Sequence, residues 1–327
     1  MKPTIIRLLK GQYLSEIEPF KTSGIPNGCI LYKEVTGCGA TESEIRSERN
    51  SIIVVPHQPV IKDKVKAWNK VNPPSKALLG VLKGVDVYQI ETYINSTATY
   101  KKILTTPEGF AKILEVFAND LDTLFSEYFL LFDECERIIT DVNYRGKITA
   151  PIDEFEKFEN KALVSATPLE FSHPELSKLN KIIIEPDYDY RKDIKVIGTN
   201  CVTDSLRKHI SEIASTTPLF LFVNSTICIL DITDILDIRA ESFVYCGEKS
   251  VAQLKSNKYD RANHQLNLKQ LDKHVFLTSR YFSALDIKLD FKPHVILVTD
   301  VYTADHSTLD FSYFFVPAFR TSIRALN

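Results

Sequence analysis

The chain has 327 residues, which is enough for two domains of ordinary size, each with its own hydrophobic core. Hydrophobic residues make up 44% and charged residues 25%, which excludes a largely disordered chain, a collagen-like fibre and a coiled coil. Forty basic residues against forty-two acidic ones leave a formal net charge of −2, so any nucleic-acid binding must use a local basic patch.

Cysteine usage and the N-terminal sequence indicate the compartment. The six cysteines are widely scattered and form no CxxC pair, which predicts reduced thiols rather than a disulfide framework or a zinc site. The N-terminal hydrophobic stretch is too short for an export signal and lacks a small-residue cleavage site. No apolar run approaches the roughly 18 residues of a membrane span. We therefore expect a cytoplasmic protein with no membrane partner.

Short apolar runs alternate with longer amphipathic stretches along the chain. The runs cover residues 29–35, 51–56, 85–90, 128–134, 161–167, 181–186, 218–224, 242–246, 274–280 and 293–300. Most of them lack strict alternation, which is typical of strands buried on both faces of a parallel sheet. Between them the sequence predicts helices over 42–49, over 107–121 from Pro107, and after Thr203 and Asp204. The prediction is an α/β fold of mostly parallel sheets flanked by helices.

A charged, tyrosine-rich segment over 185–200 separates two strand-helix series of similar length. We place the joint near residue 190, which predicts a first domain over 1–190 and a second over 191–327. The cleft between two such lobes is the expected ligand site.

A glycine-rich segment follows the first of these apolar runs and precedes a predicted helix. The segment consists of Thr36, Gly37, Cys38, Gly39, Ala40 and Thr41. A turn of this kind at a helix start can direct several backbone N–H groups at a phosphate. The alternative interpretation is an ordinary strand-to-helix turn.

Two adjacent carboxylates, Asp133 and Glu134, end another apolar run. At the edge of a core, one of them can hold Mg²⁺ through water while the other orients an attacking water. A solvated strand end is the alternative. Ser165 and Thr167 end the next run, where their hydroxyls could relay hydrogen bonds between a nucleotide site and a neighbouring lobe; otherwise they belong to a turn before a proline.

Thr105 and Thr106 end a further strand and lead into the helix that begins at Pro107. The N–H groups of such a helix start could hold a backbone phosphate of a nucleic acid. Plain helix capping is the alternative.

Taken together, the order of these segments within residues 36–167 resembles the first RecA-like domain of the superfamily 2, DExD/H-box helicases and translocases. Motifs I, II and III of that family usually read TGxGKT, DExH or DExD, and SAT. Here they read TGCGAT, DECE and SAT. The sequence looks closest to the helicase-like proteins of Bacteroidetes, their phages and mobile elements, whose loop reads TGxGAT.

The resemblance implies tandem RecA-like domains that bind ATP and Mg²⁺. It implies that residues 36–41 hold the phosphates, that Asp133 and Thr41 hold the metal, and that Glu134 orients water. Ser165 and Thr167 would couple the two lobes, and Thr105 and Thr106 would lie on the path of the nucleic acid. We expect DNA rather than RNA as the partner, with protein partners as a further expectation.

The second half resembles the family more loosely. Residues 220–225 resemble motif IV, residues 278–280 stand where motif V would be, and residues 319–324 stand where motif VI would be. Arg320 and Arg324 would then approach the γ-phosphate, and their spacing of four would place both on one helix face. Two surface arginines are the alternative.

Several positions depart from the family pattern. Ala40 replaces the loop lysine, which makes a charged hydrogen bond worth ~1.5–3 kcal/mol, so nucleotide affinity could fall roughly 10- to 150-fold. Lys33, Lys62 or Lys64 could supply the missing charge, but nothing in the sequence selects among them. Motif II ends in Glu136, and Pro317 interrupts motif VI.

These departures predict a helicase-like protein with weakened ATP binding and hydrolysis. The alternatives are a non-catalytic scaffold that binds nucleic acid or protein, and an unrelated α/β protein with coincidental motifs.

Overall fold

A computed structural model describes most of the chain. The described residues are 2–35, 37–136, 150–166, 174–190, 195–213, 218–269, 271–281, 286–299 and 322–325. The chain divides into two compact units, Met1–Arg191 and Lys192–Asn327.

The first unit contains one sheet of eight parallel strands. The strands are β1 (Thr4–Leu8), β2 (Cys29–Lys33), β3 (Asn50–Val54), β4 (Leu78–Val81), β5 (Lys102–Thr105), β6 (Tyr128–Asp133), β7 (Asn160–Ser165) and β8 (Asn180–Pro186). Their order across the sheet is β1-β8-β2-β7-β6-β3-β5-β4, and every neighbouring pair is parallel. Strand β7 therefore lies between β2 and β6, which brings three carboxyl ends to the same edge of the sheet.

Helices connect these strands. They are α1 (Phe20–Ser23), α2 (Ala40–Arg46), α3 (Gln58–Val71), α4 (Val87–Ile94), α5 (Pro107–Val116), α6 (Leu121–Glu127), α7 (Ala150–Phe155) and α8 (Pro174–Ser177). Short 3₁₀ turns cover Leu14–Glu16 and Pro74–Lys76.

Both faces of the first sheet are buried. Ile52 of β3 packs in a core with Ile90 of α4 and Phe110 of α5, whereas the adjacent Ile53 packs on the other face with Ile61 of α3. Successive strand residues point to opposite faces, so a strand covered on both sides needs apolar residues at every position. This is why β6 is buried at all six positions although its sequence does not alternate.

The predicted strand over 85–90 is wrong, because this run belongs to helix α4. Asp86 caps the helix by accepting from the Gln89 N–H at 2.8 Å, and the Gln89 side chain accepts from the Asp86 N–H at 3.0 Å. This reciprocal cap fixes a helix start, and Ile90 and Tyr93 lie three apart on its buried face. The predicted helix over 107–121 is too long, since α5 ends at Val116 and Asp120 caps the next helix, α6.

The second unit contains a five-stranded sheet and a two-stranded sheet. The strands are β9 (Leu219–Val223), β10 (Ser242–Tyr245), β11 (Ala262–Asn263), β12 (His274–Leu277), β13 (Asp286–Leu289), β14 (His294–Val298) and β15 (Ser322–Ala325). The orders are β11-β10-β12-β9-β14 and β13-β15, and all described pairs are parallel. The helices are α9 (Val202–Glu212), α10 (Thr226–Ile235) and α11 (Glu248–Ser256), with 3₁₀ turns at Arg239–Glu241 and Ser279–Tyr281.

The predicted α/β fold of mostly parallel sheets flanked by helices is confirmed by this topology. Among the described helices, none is long and apolar enough to cross a membrane.

The interpretation that Arg320 and Arg324 share a helix face is wrong at Arg324. This residue lies in β15, where it pairs in register with Lys288 of β13. Backbone pairing with β13 decides the conformation here, and a strand does not align residues four apart as a helix does. Arg320 and Pro317 lie outside the described residues, so the role of the two arginines stays a prediction.

The buried His274 at the start of β12 should make the second unit sensitive to mild acid. Burial, helped by the neighbouring Lys273, lowers the pKa of His274, while Glu241 acts in the opposite direction. The unfolded chain therefore binds the proton more tightly, and stability should fall as the pH drops below about 6.5, by at most ~1.4 kcal/mol per pH unit. Urea unfolding followed by circular dichroism at pH 5 and pH 7 measures the loss. A His274→Gln variant should flatten the difference, and an unchanged difference would contradict the assignment.

Candidate functional site

The candidate site lies where β2, β6 and β7 end. Strand β2 ends at Lys33 and β6 ends at Asp133, with β7 between them. In register, Tyr32 pairs with Ser165, and Asp133 pairs with Val164. Strands that are two apart in a sheet are separated by about 10 Å, a distance that a lysine and an aspartate side chain can bridge together.

Three groups meet on the carboxylate of Asp133. The Lys33 ammonium donates to Oδ1 at 3.1 Å, the Thr41 hydroxyl donates to Oδ2 at 2.6 Å, and the Glu134 N–H donates to Oδ1 at 3.0 Å. The side chains of Lys33 and Asp133 are only 11% and 7% exposed. The structure thus brings together the glycine-rich loop, through Thr41, and the predicted acidic pair.

The electrostatics of this cluster keep Asp133 ionised. Burial raises the pKa of Asp133, but the charge of Lys33, the hydrogen bonds from Thr41 and Lys33, and the more distant charge of Lys64 together lower it below its usual value. A buried carboxylate that stays charged requires such partners. The site therefore holds a negative charge that Lys33 balances.

The glycine-rich loop has the backbone conformation that its glycines permit. Gly37 and Gly39 have φ values of 69° and 89°, in the left-handed region that favours glycine. The Cys38 carbonyl accepts from the Leu14 N–H at 2.8 Å, and a Cβ on Gly39 would lie 3.3 Å from Cβ of Tyr13. The 3₁₀ turn at Leu14–Glu16 and the residue before it therefore support the loop from behind.

Other residues of the predicted loop differ in what they offer. Ala40 is buried and begins α2, so it offers a methyl group at the position where the helicase resemblance predicts a lysine. Burial raises the pKa of the Cys38 thiol, with Lys33 partly opposing this effect, so the thiol is neutral at pH 7. Thr36 lies outside the described residues.

Glu134 lies beside a histidine that the sequence did not single out. Its carboxylate oxygen Oε2 lies 3.8 Å from Nε2 of His57, and Glu134 itself has a φ of 55°. His57 follows β3, the strand next to β6, and directly precedes α3. The sequence does show that His57 follows an apolar run, which indicates a position at the end of a strand. It does not show that this strand is the neighbour of the one that ends at Glu134.

The serine of the third predicted segment contacts the last acid of the second. Ser165 donates to Oε2 of Glu136 at 2.8 Å, and the Cys135 N–H donates to the Val164 carbonyl at 3.1 Å. These bonds fix the turn after β6 to the end of β7 within the first unit. The coupling role of Ser165 stays a prediction, and Thr167 lies outside the described residues.

Thr105 and Thr106 are buried, and their hydroxyls bond within the fold. The Thr106 hydroxyl accepts from the Gly109 N–H at 3.2 Å and caps α5, while Thr105 donates to the Thr106 carbonyl at 3.0 Å. The structure therefore shows the capping alternative for the Thr106 side chain. A contact with nucleic acid stays a prediction, and it would have to use the backbone of this segment.

The segments of the second unit show ordinary supporting roles. Ser225 caps α10 by accepting from the Cys228 N–H at 3.2 Å, and the Thr278 N–H donates to the Tyr245 carbonyl at 3.1 Å. The side chain of Arg280 is outside the described residues. These contacts show that the segments resembling motifs IV and V lie at the ends of β9 and β12. Their role in nucleotide binding stays a prediction.

The donor set around Asp133 does not suit Mg²⁺ in this arrangement. Both carboxylate oxygens are engaged, one of them by a positively charged ammonium. The predicted metal ligands Asp133 and Thr41 are close together, but Lys33 occupies the carboxylate that would bind the ion.

Comparison with known proteins identifies related folds only. No protein-family model and no curated protein matches the sequence. Among solved structures, the chain is similar to the Hef helicase domain of Pyrococcus furiosus, with 11% identity over 91% of this chain and 92% of that chain, at a TM-score of 0.44. It is also similar to the helicase Lhr of Mycobacterium smegmatis bound to ssDNA and AMP-PNP, with 13% identity over 84% of this chain and 40% of that chain, at a TM-score of 0.45.

A third similar structure is Dbp5 of S. cerevisiae bound to ADP, with 10% identity over 94% of this chain and 78% of that chain, at a TM-score of 0.44. The chain thus spans less than half of the Lhr chain. With TM-scores below 0.5, these likenesses carry no argument about activity, and the fold of this protein rests on its own strand order and register.

Proposed function

We propose that this protein is a helicase-like protein of tandem RecA-like domains that binds nucleoside triphosphate and nucleic acid, with weak hydrolysis. The observation that carries the proposal is the 2.6 Å hydrogen bond between Thr41 and Asp133. It joins the glycine-rich loop to Asp133 at one edge of the sheet, so a phosphate group held by the loop would lie beside the acidic pair.

The chemistry assigned to the acidic pair follows from its surroundings. Glu134 is the candidate base that orients a water, since its carboxylate is only 13% exposed and lies near His57 rather than in the Asp133 cluster. Asp133 holds the ammonium of Lys33 and the hydroxyl of Thr41, so it organises the site. Ala40 provides no positive charge to stabilise the transition state of hydrolysis. Because electrostatic stabilisation is usually the largest catalytic contribution, we expect hydrolysis to be weak.

For the partner, we propose single-stranded nucleic acid, with DNA preferred over RNA. Helix α3 carries the basic stretch Lys62, Lys64 and Lys66, together with the single tryptophan Trp68. Cationic side chains bind phosphates, so the lysines are the proposed contacts. The Trp68 ring packs against the core, and its centroid lies 5.5 Å from the Arg46 guanidinium. The helix start after Thr106 is the second proposed contact.

Phosphate release in the presence of single-stranded DNA tests the enzymatic proposal. We expect DNA to stimulate release, and Glu134→Gln to reduce the stimulated rate by about 100-fold or more because a positioned general base contributes that much. Glu48→Gln, at an exposed position of the same chemistry, is the matched control and should retain the rate. Absence of stimulation, or an unchanged rate in Glu134→Gln, would contradict hydrolysis by this site.

The second candidate function is a non-catalytic scaffold that binds nucleic acid or protein. Ala40 favours it because the loop lysine that would bind the phosphates of a nucleotide is missing. Comparison of ATP binding by the natural protein and by Ala40→Lys separates the two. Binding by both supports a nucleotide-using protein, whereas binding by the variant alone supports a scaffold that has lost its nucleotide. If neither protein binds ATP, the proposed nucleotide site is wrong.

A further inference from the structure

We propose that Lys33 supplies the fixed positive charge of this site and lets it hold phosphate groups without Mg²⁺. Lys33 would thereby replace both the missing loop lysine and the metal ion on Asp133. The inference rests on the proposed function, since it concerns how the same site holds a nucleotide.

The position of Lys33 carries the first part of the argument. It is the last residue of β2, and the glycine-rich loop begins a few residues later. The loop lysine of the family would stand at position 40, where this chain has a buried alanine. A lysine that enters from the strand before the loop can therefore bring an ammonium to the same edge of the sheet.

The contacts of Lys33 carry the second part. Its ammonium lies 3.1 Å from Oδ1 of Asp133, and its side chain is only 11% exposed. Thr41 donates to the other oxygen at 2.6 Å, so both carboxylate oxygens are engaged. Within the described part of the chain, Lys33 is the cationic side chain that donates a hydrogen bond to Asp133.

The consequence for metal binding follows from simple electrostatics. A divalent ion on Asp133 would have to displace the ammonium or sit next to it, and two like charges about 4 Å apart repel strongly in a partly buried site. An ammonium has three N–H donors and can bridge a carboxylate and a phosphate oxygen. A phosphate group bound here would thus share the Lys33 ammonium with Asp133, at the position where Mg²⁺ would otherwise lie.

Isothermal titration calorimetry with pyrophosphate in the presence of EDTA tests the proposal. We expect the natural protein to bind pyrophosphate without metal and Lys33→Met to bind it about ten-fold more weakly or worse, since a charged hydrogen bond is lost. Lys33→Arg, which keeps the charge, should retain most of the affinity. Lys21→Met, at an exposed position on α1, is the matched control.

A second titration uses Mg²⁺ alone. Removal of the ammonium leaves Asp133 with Thr41 as its side-chain donor, so Lys33→Met should bind Mg²⁺ more tightly than the natural protein does. Trp68 fluorescence during unfolding verifies that each variant is folded. Lys33→Met removes the cation that pairs with Asp133. The double variant Lys33→Met with Ala40→Lys restores a cation near the loop and should recover pyrophosphate binding.

The outcomes separate this inference from the proposed function. Equal pyrophosphate binding by the natural protein and Lys33→Met overturns the role of Lys33. Nucleotide binding that requires Mg²⁺ in the natural protein overturns the inference but supports the proposed function. No binding of pyrophosphate or ATP by any variant overturns both.

Discussion

Replacement of Glu44 by glutamine should lower the free energy of unfolding of the first unit by about 3–5 kcal/mol, because it leaves buried cations without their counter-charge. Glu44 lies on α2 and is completely buried. Arg49 donates to both of its carboxylate oxygens, and the Ile25 N–H donates to Oε2 at 3.1 Å. The Lys102 ammonium lies 3.8 Å from Oε1 and donates to the Glu44 carbonyl at 2.7 Å.

This network joins α2 to β3, β5 and the segment before β2, which are separate parts of the first unit. It ties α2, which follows the glycine-rich loop, to β5 through Lys102 and to the chain before β2 through Ile25. Ser51 of β3 also donates to Glu44, at 2.5 Å. Loss of the carboxylate charge should therefore loosen the helix that carries Thr41, besides destabilising the core.

Urea unfolding followed by the fluorescence of Trp68, the single tryptophan, measures the effect in the first unit. Glu42→Gln on the same helix is the control, since Glu42 pairs with Arg46 at a partly exposed position and should cost less than about 1 kcal/mol. A loss below 1 kcal/mol in Glu44→Gln would show that the buried network contributes little.

The pH dependence of the same variant follows from Lys102. Burial lowers the pKa of Lys102 to about 8, with Arg49 adding to this effect and Glu44 opposing it. The folded state thus binds this proton less tightly than the unfolded chain does, so the contribution of Lys102 to stability rises with pH between about 8 and its usual value. Glu44→Gln removes the charge that opposes this effect, so the pKa of Lys102 should fall further in the variant. The stability deficit of Glu44→Gln should therefore shrink as the pH rises towards 8 and stay constant above it.

Replacement of Phe222 by alanine should destabilise the second unit by about 3–5 kcal/mol, the usual cost of deleting a buried phenylalanine side chain. Phe222 lies in β9, the strand between β12 and β14, and is fully buried. It packs with Tyr245, Leu277 and Leu289 on one face of the sheet. Deletion of its ring leaves a cavity that these neighbours cannot fill without moving.

The same variant tests the predicted division into two domains. If the units unfold independently, Phe222→Ala should shift the transition seen by far-UV circular dichroism and leave the Trp68 transition in place. Phe243→Ala, at a partly buried position against the same cluster, should cost clearly less. A Trp68 transition that shifts together with the circular dichroism signal would contradict independent unfolding.

Much of the fold could be predicted from the sequence because it is encoded locally. Continuous apolar runs such as 128–134 indicate strands covered on both faces, and Pro107 after Thr106 marks a helix start. The main error is the strand predicted over 85–90. This apolar run contains Asp86 and Gln89, whose reciprocal hydrogen bonds begin a helix instead. Apolar runs of this length suit a strand or a buried helix equally well.

For the candidate site, the sequence alone determined the residue types and their order: a glycine-rich turn, an acidic pair and a loop without its lysine. Only the tertiary structure decided that Lys33, rather than Lys62 or Lys64, donates to Asp133, and that His57 lies beside Glu134. The physical reason is the order of the strands. Residues 100 positions apart meet because parallel strands place their carboxyl ends at one edge, and chain spacing does not specify which strands are neighbours.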